Sequence, residues 1–255
     1  MTQTAPVTPT VGILYPGYSA EDDYPRAEQL LGDGSRLPLV HTLMREDAHR
    51  VDALLDVGSE DILADGAKAV AASAGPLDSI IWACTSGSFV FGWDGATAQV
   101  KALQEVARVP ASSTSFAFVD ACRRLGVDTV AVGATYPDDV AERFVEFLGK
   151  AGIRVLTLTS RGIITAAEVG TLTDDVVLEF AAAVAGDPAA AGAQAILMPD
   201  TALHTIDVLD RLDERVGKPV LTANQVSVWQ GLRLAGADRA RTGLGALFAA
   251  GPEAG

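Results

Sequence analysis

The chain repeats itself. Ile80-Ile81-Trp82-Ala83-Cys84-Thr85-Ser86, an apolar run that stops in small polar residues, lines up with Ile196-Leu197-Met198-Pro199-Asp200-Thr201-Ala202. Val109-Pro110, a polar turn and a helical pattern ending in CRRLG match Lys218-Pro219, a similar turn and a pattern ending in LRLAG. The opening VGILYPGYSAEDDYPRAEQLL matches VAVGATYPDDVAERFVEFL from Val130. Both place Tyr-Pro at a strand end, Tyr15-Pro16 and Tyr136-Pro137, with acidic residues opening the next helix. Three short matches in the same order mark an internal duplication, which restricts the fold more than any local propensity does.

Within each half, short β-rich runs alternate with helical patterns. The expected strands are Val11–Tyr15, Leu37–Leu43, Ser79–Ala83, Val109–Ser112, Thr129–Ala134, Arg154–Leu158, Ala195–Met198 and Pro219–Thr222. Expected helices lie between them at 23–31, 62–74, 97–107, 115–125, 138–151, 174–185, 206–216 and 226–235. This order implies an α/β fold with parallel sheets and right-handed crossovers. Such sheets bind ligands beyond the carboxyl ends of their strands, so the residues after each strand are where chemistry belongs. Two half-sheets facing each other across a pseudo-twofold axis bring Cys84 and Asp200 to opposite walls of one cleft.

Composition narrows the partners. A net charge of −14 argues against nucleic acid or an anionic membrane as the main partner. It still allows an anionic small molecule, because a nest of backbone N–H groups outweighs a distant field. The start MTQTAPVTPT has neither a basic end nor an apolar run, and no apolar segment approaches the ~18 residues of a membrane span. A cytoplasmic protein is expected. The two cysteines, Cys84 and Cys122, sit in unlike contexts and give no disulfide or zinc spacing. No metal or cofactor is expected, and self-association into a homo-oligomer stays open.

Cys84 is the foremost candidate for chemistry. The turn CTSGS offers successive N–H groups and the hydroxyls of Thr85 and Ser86 at a helix start, which binds oxyanions and lowers a thiol's pKa. A buried structural cysteine is the alternative, and the position at a strand end favours function. Cys122, mid-helix in FVDACRRLG, reads as packed. Asp200 has two readings: a helix N-cap, which Pro199 and Thr201 suit, or a general acid or base facing Cys84. His204, four residues on, could orient it. Tyr136 either donates a hydrogen bond to a substrate carboxylate or closes a sheet edge. Pro16, Gly17, Tyr18 and Ser19 form a lining loop, and Asn224 faces Ser113 and Thr114. Glu21, Asp22 and Asp23 read as a solvated helix start. P-loop, GxGxxG, HExxH and GxSxG patterns are missing from the places that would carry nucleotide, zinc-protease or α/β-hydrolase chemistry.

Together, YPG at the first strand end, ACTSGSF, VGATYPDDVAERFVEFL, ILMPDTALHTID and GKPVLTANQVSVWQGLRLAG resemble the aspartate/glutamate racemase superfamily. Within it the chain is most similar to the branch of maleate cis–trans isomerases and arylmalonate decarboxylases. The resemblance spans roughly residues 10 to 250 and rests on the order of the motifs. It implies two similar flavodoxin-like domains around a pseudo-dyad, an active site between them and no cofactor. The chain end returns to the first domain, giving 1–115 plus 223–255 and 116–222. The family's catalytic positions fall on Cys84 and Asp200, its carboxylate-binding turn on Thr85 and Ser86 and its tyrosine on Tyr136. Thr201 and Ala202 take the matching places in the second half.

Racemases and maleate isomerases usually carry cysteine at both catalytic positions, and the decarboxylases keep only the second. This chain keeps the first and has Asp200 at the second. The resemblance then implies a maleate-isomerase-like reaction in which Cys84 adds to a double bond and Asp200 handles the proton. Arylmalonate-type decarboxylation and amino-acid or hydantoin racemisation are the alternatives, and a binding protein without turnover is a further one.

Overall fold

The computed structural model describes residues 8–252. The N-terminal stretch read for a leader falls outside the described residues up to position 7, and so do the last three residues. The first parallel sheet contains β1 (Val11–Pro16), β2 (Leu39–Thr42), β3 (Ser79–Trp82) and β4 (Ala111–Ser113), in the order β2-β1-β3-β4. The second contains β5 (Thr129–Ala134), β6 (Arg154–Ser160), β7 (Ala195–Met198) and β8 (Val220–Thr222), in the order β6-β5-β7-β8. The second sheet repeats the order of the first, so the duplication read in the sequence is a duplication of topology.

Central strands explain the sequence pattern. β1, β3, β5 and β7 are buried almost throughout, because helices cover both faces of each sheet and no residue needs to face water. Prolines trim three of the expected strands. Pro38, Pro110 and Pro219 have no N–H to give the ladder, and regular pairing begins after each of them, at Leu39, Ala111 and Val220. In both sheets the chain moves from β1 or β5 to an edge strand, then crosses to β3 or β7 on the other side. That reversal opens a crevice at the carboxyl ends of these two strands. Tyr15, Cys84, Tyr136 and Asp200 all stand at or just beyond such ends.

In each half the helix that follows the fourth strand packs toward the other half. The helix Thr114–Arg124 follows β4, yet its Ala117, Phe118, Ala121 and Cys122 share one buried cluster with Val130, Val132 and Phe144. Phe118 meets Phe144 edge-on, with ring centroids 5.4 Å apart. The helix Ala223–Leu234 follows β8 and lies on the first sheet. Gly231 comes so close that a Cβ there would stand 2.4 Å from Val11 Cγ1, and its carbonyl accepts a 2.8 Å bond from Ser79 Oγ. This second helix is buried on nearly all sides, and its polar residues are satisfied individually. Gln225 Nε2 donates to the Leu244 carbonyl at 2.8 Å, and Ser227 pairs with Thr114 at 2.7 Å. Among the described residues no helix is long and apolar enough to cross a membrane.

Candidate active site

The Cys84 turn is built from its own neighbours. Ala83 N–H still donates to the Leu14 carbonyl at 2.8 Å, so the chain leaves the sheet at Cys84 and enters the short helix Ser86–Phe89. Gly87 N–H donates to Cys84 Sγ at 3.2 Å, and Ser86 Oγ lies 3.8 Å from the sulfur. A Cβ on Gly87 would stand 3.0 Å from that sulfur and 3.1 Å from the Trp82 ring, so the tight turn requires glycine. Gln99 Nε2 clamps the turn from behind by donating to the carbonyls of Gly87 at 2.9 Å and Gly58 at 2.7 Å.

The expected lowering of the Cys84 pKa does not occur. Burial pushes the thiol up to about 11, with the Asp200 charge adding to the rise and the bonds from Gly87 and Ser86 opposing it. Loss of water outweighs two hydrogen bonds, so at neutral pH Cys84 is a thiol. Cys122 is packed in its helix as expected, and burial pushes it to about 12.

The Asp200 turn is built differently. Asp200 is buried; Oδ1 accepts the Ala202 N–H at 2.9 Å and Oδ2 accepts the Thr135 hydroxyl. No helix starts there: an irregular turn follows, and the next helical piece begins at Ile206. Asp200 therefore closes an Asx-type turn, and the N-cap reading falls. The turn hangs on groups from elsewhere. Tyr15 OH donates to the Thr201 carbonyl at 2.9 Å, and Asn224 Nδ2 donates to the same oxygen at 3.1 Å. Asp23 Oδ2 accepts the Thr205 N–H at 3.0 Å and Asn224 Nδ2 at 2.8 Å.

These contacts correct two further expectations. Asp23 is not a solvated helix residue. It is 6% exposed, and burial raises its carboxyl to about 6 against the opposing bonds from Asn224 and Thr205. His204 does not orient Asp200; its Nε2 meets Asp22 Oδ1 at 2.8 Å on the outer side of the turn.

One cavity lies between the two turns. Pro16, Ser19, Cys84, Ser86, Asp200, Thr201 and Ala202, all proposed from sequence, line it together. Thr85 and Tyr136 stand behind its wall. The Thr85 hydroxyl is buried and unbonded among the described residues, and the Tyr136 hydroxyl donates to the Pro199 carbonyl instead of pointing free. A buried phenol must place its proton on an acceptor, and that carbonyl is within reach. Burial first, then the charges of Asp200 and Cys84, hold the Tyr136 phenol far above its ordinary range.

A matching family model, described as arylmalonate decarboxylase, covers residues 60–248. The chain belongs to the arylmalonate decarboxylase family. Its similarity to arylmalonate decarboxylase from Bordetella bronchiseptica runs to 30% identity over 254 residues, covering 94% of this chain and 97% of the relative. Maleate isomerase from Alcaligenes faecalis is 26% identical over 131 residues, 51% of this chain and 50% of that protein. Among solved structures, a double variant of arylmalonate decarboxylase in its liganded form has one glycine changed to cysteine and one cysteine to serine. It superimposes with a TM-score of 0.81 at 26% identity, covering 94% of this chain and 99% of that one.

Against the family pattern, the segment that sequence reasoning passed over is the loop after β2. It crosses from the first half to the second and roofs the cavity with Met44, Glu46, Asp47, Ala48 and His49. Asp47 accepts the N–H groups of Ala166 and Ala167 at 2.7 and 3.0 Å, and His49 N–H donates to the Ile164 carbonyl at 2.8 Å. A signal was present: MREDAH follows an expected strand, where ligands bind in this architecture.

Proposed function

We propose that this protein is a cofactor-independent cytoplasmic enzyme acting on a small carboxylic acid, and that it catalyses cis–trans isomerisation of a maleate-like acid. Cys84 is the nucleophile and Asp200 the acid and base. We divide the enzyme into a first domain of residues 1–115 plus 223–255 and a second of 116–222, consistent with the exchanged helices. One observation carries the reading. A thiol and a carboxyl, from equivalent strand ends of the two halves, face one cavity with hydroxyl and N–H donors beside the sulfur.

A thiol held near 11 becomes a nucleophile only when its proton leaves. Asp200 accepts that proton, which leaves the net charge of the pair unchanged and makes the carboxyl neutral toward an anionic substrate. The thiolate forms an S–C bond to one alkene carbon, and the alkene electron pair moves onto the neighbouring carboxylate as an enediolate. The Ser86 hydroxyl, with Thr85 and Tyr136 behind it, stabilises that charge. The former double bond is now single and rotates. Collapse of the enediolate breaks the S–C bond, releases the trans acid, and Cys84 recovers its proton from Asp200.

The raised thiol pKa favours a second reading, arylmalonate-type decarboxylation or racemisation. In decarboxylation the C–C bond breaks, carbon dioxide leaves and the electron pair forms the same enediolate. The Cys84 S–H then delivers a proton to the α-carbon. Purified protein should be offered maleate, arylmalonates, amino acids and hydantoins and followed by proton NMR in deuterated water. Conversion of maleate to fumarate supports isomerisation. Carbon dioxide release, or deuterium at an otherwise unchanged α-carbon, moves the assignment to the second reading. No turnover of any of these acids overturns both.

A further inference from the structure

We infer that His49 is a substrate-binding residue, holding the second carboxylate of a dicarboxylic acid whose first carboxylate lies at the Thr85–Ser86 turn. The inference rests on the reading of the cavity as an acid site. It adds a residue to that site.

The charge inventory of the cavity poses the problem. Its wall carries the carboxylates of Glu46, Asp47 and Asp200, and no lysine or arginine lines it. Glu46 is balanced by Arg50 at 3.0 Å, and both oxygens of Asp47 are taken by the N–H groups of Ala166 and Ala167. Asp200 has only neutral donors, Thr135 and Ala202. An incoming dianion thus meets net negative charge in a largely desolvated space, where uncompensated charge is strongly disfavoured. The hydroxyl-bearing turn beside Cys84 accommodates one carboxylate. A cation beside the other would offset the remaining charge.

His49 is placed to become that cation. It is buried at 7% exposure and lines the cavity. Its Nδ1 stands 2.8 Å from the Ile163 carbonyl, and a carbonyl only accepts, so Nδ1 carries a hydrogen. Its ring packs edge-on against Tyr136, with centroids 4.9 Å apart, and its backbone N–H is bound to Ile164. Turning the ring would break the Ile163 bond and the Tyr136 contact. Nε2 is the remaining polar atom, and it has no hydrogen-bond partner among the described residues. Taking one proton from solvent converts it to an N–H donor with positive charge. The titratable groups around this ring are Tyr136, which packs on it from the second half, and those that share the cavity with it: Glu46 and Asp47 on its own loop, Cys84 from the first sheet and Asp200 from the second.

The test is binding to the full-length protein, with succinate as the dicarboxylate probe and butyrate as the monocarboxylate probe. Calorimetry in two buffers of different ionisation enthalpy reads the affinity and the protons taken up. His49→Asn keeps a side-chain donor for the Ile163 carbonyl while removing Nε2, and His49→Gln serves as a second variant if the first is unstable. The expected result is tighter binding of succinate than butyrate by the wild type, with proton uptake. The variants should bind succinate at least tenfold more weakly, butyrate within twofold of wild type, and take up no proton. If succinate affinity and proton uptake are unchanged in a folded variant, His49 is not a ligand and the acid site stands without it. An equal loss for both probes also overturns the inference, since it shows general damage to the cavity. If neither probe binds the wild type, the acid-site reading and the inference fall together.

Discussion

The two turns that face the cavity occupy equivalent places in the duplicated fold but are held by opposite strategies. The Cys84 turn is local. Its sulfur is bonded by Gly87 three residues on, and Gln99 and Gly58 of the same half back it. The Asp200 turn depends on distant parts of the chain. Tyr15 and Asp23 from the first half and Asn224 from the exchanged helix hold its carbonyls and N–H groups. Even the paired Tyr-Pro motifs diverge. Tyr15 reaches across the cleft to Thr201, while Tyr136 stays within its own half and bonds Pro199. The thiol wall is therefore set by local geometry, and the acid wall by closure of one half upon the other.

The largest effect expected from breaking this comparison is at the local wall. Cys84→Ala should reduce turnover by on the order of 1,000-fold or more while shifting thermal stability only slightly, as measured by steady-state kinetics and thermal melts. In the wild type, alkylation of Cys84 should accelerate about tenfold per pH unit until it levels near 11, where burial has moved its pKa. Retained turnover in the alanine variant would remove Cys84 from the reaction.

Next in size is the acid wall. Asp200→Asn preserves an oxygen for the Ala202 N–H, and the Thr135 hydroxyl can turn to accept from the new amide, so the change should cost about 1 kcal/mol of stability. It should lower turnover by on the order of 100-fold and erase one limb of the pH–rate profile. Unaltered turnover and pH dependence would reduce Asp200 to a turn former.

Asn224→Ala sharpens the contrast, because it removes a donor to the Thr201 and Leu203 carbonyls and leaves the Cys84 turn untouched. It should destabilise the protein by about 1–3 kcal/mol and lower turnover, while the alkylation rate of Cys84 changes little. Equal changes at both walls would show that the two turns are not held independently.

The effect with the least consequence for turnover is a change in the pH dependence of stability. Asp23 has its carboxyl raised to about 6 from 3.8, so the folded state prefers the neutral acid. Its contribution to stability is full below about pH 4 and is lost as pH rises through 6. The shift corresponds to a difference on the order of 2–3 kcal/mol between those limits. Asp23→Asn should flatten this part of the curve, measured by urea unfolding between pH 4 and pH 7. A wild-type curve with the same slope as the variant would contradict the assignment.

Much of the architecture was legible from residues alone. Every expected strand has a counterpart in the sheets, because central strands covered by helices on both faces demand continuous apolar runs such as Ser79–Trp82 and Ala195–Met198. Short helices such as Val51–Val57 and Ser86–Phe89 were not, since one or two turns leave too little periodicity to detect. Most of the candidate site could be read as well. Strand ends in a duplicated parallel fold are few, and Cys84, Ser86, Asp200 and Thr201 stand at them.

The repeat in the sequence determined that there would be two matching sheets and that Cys84 and Asp200 would face one another, because side chains beyond parallel strand ends have one crevice to enter. Only the tertiary structure decided the electrostatics. The CTSGS turn carries the donors that lower a thiol's pKa, yet burial against Asp200 raises it to about 11. The acidic run at 21–23 has the composition of a solvated face, yet Asp23 is buried because Thr205 and Asn224 come to it across more than 180 residues of chain. His49 enters the cavity only because the loop after β2 crosses to Ile163 in the other half. Desolvation and long-range hydrogen bonds depend on which groups meet in space, and a residue pattern along the chain does not contain that information.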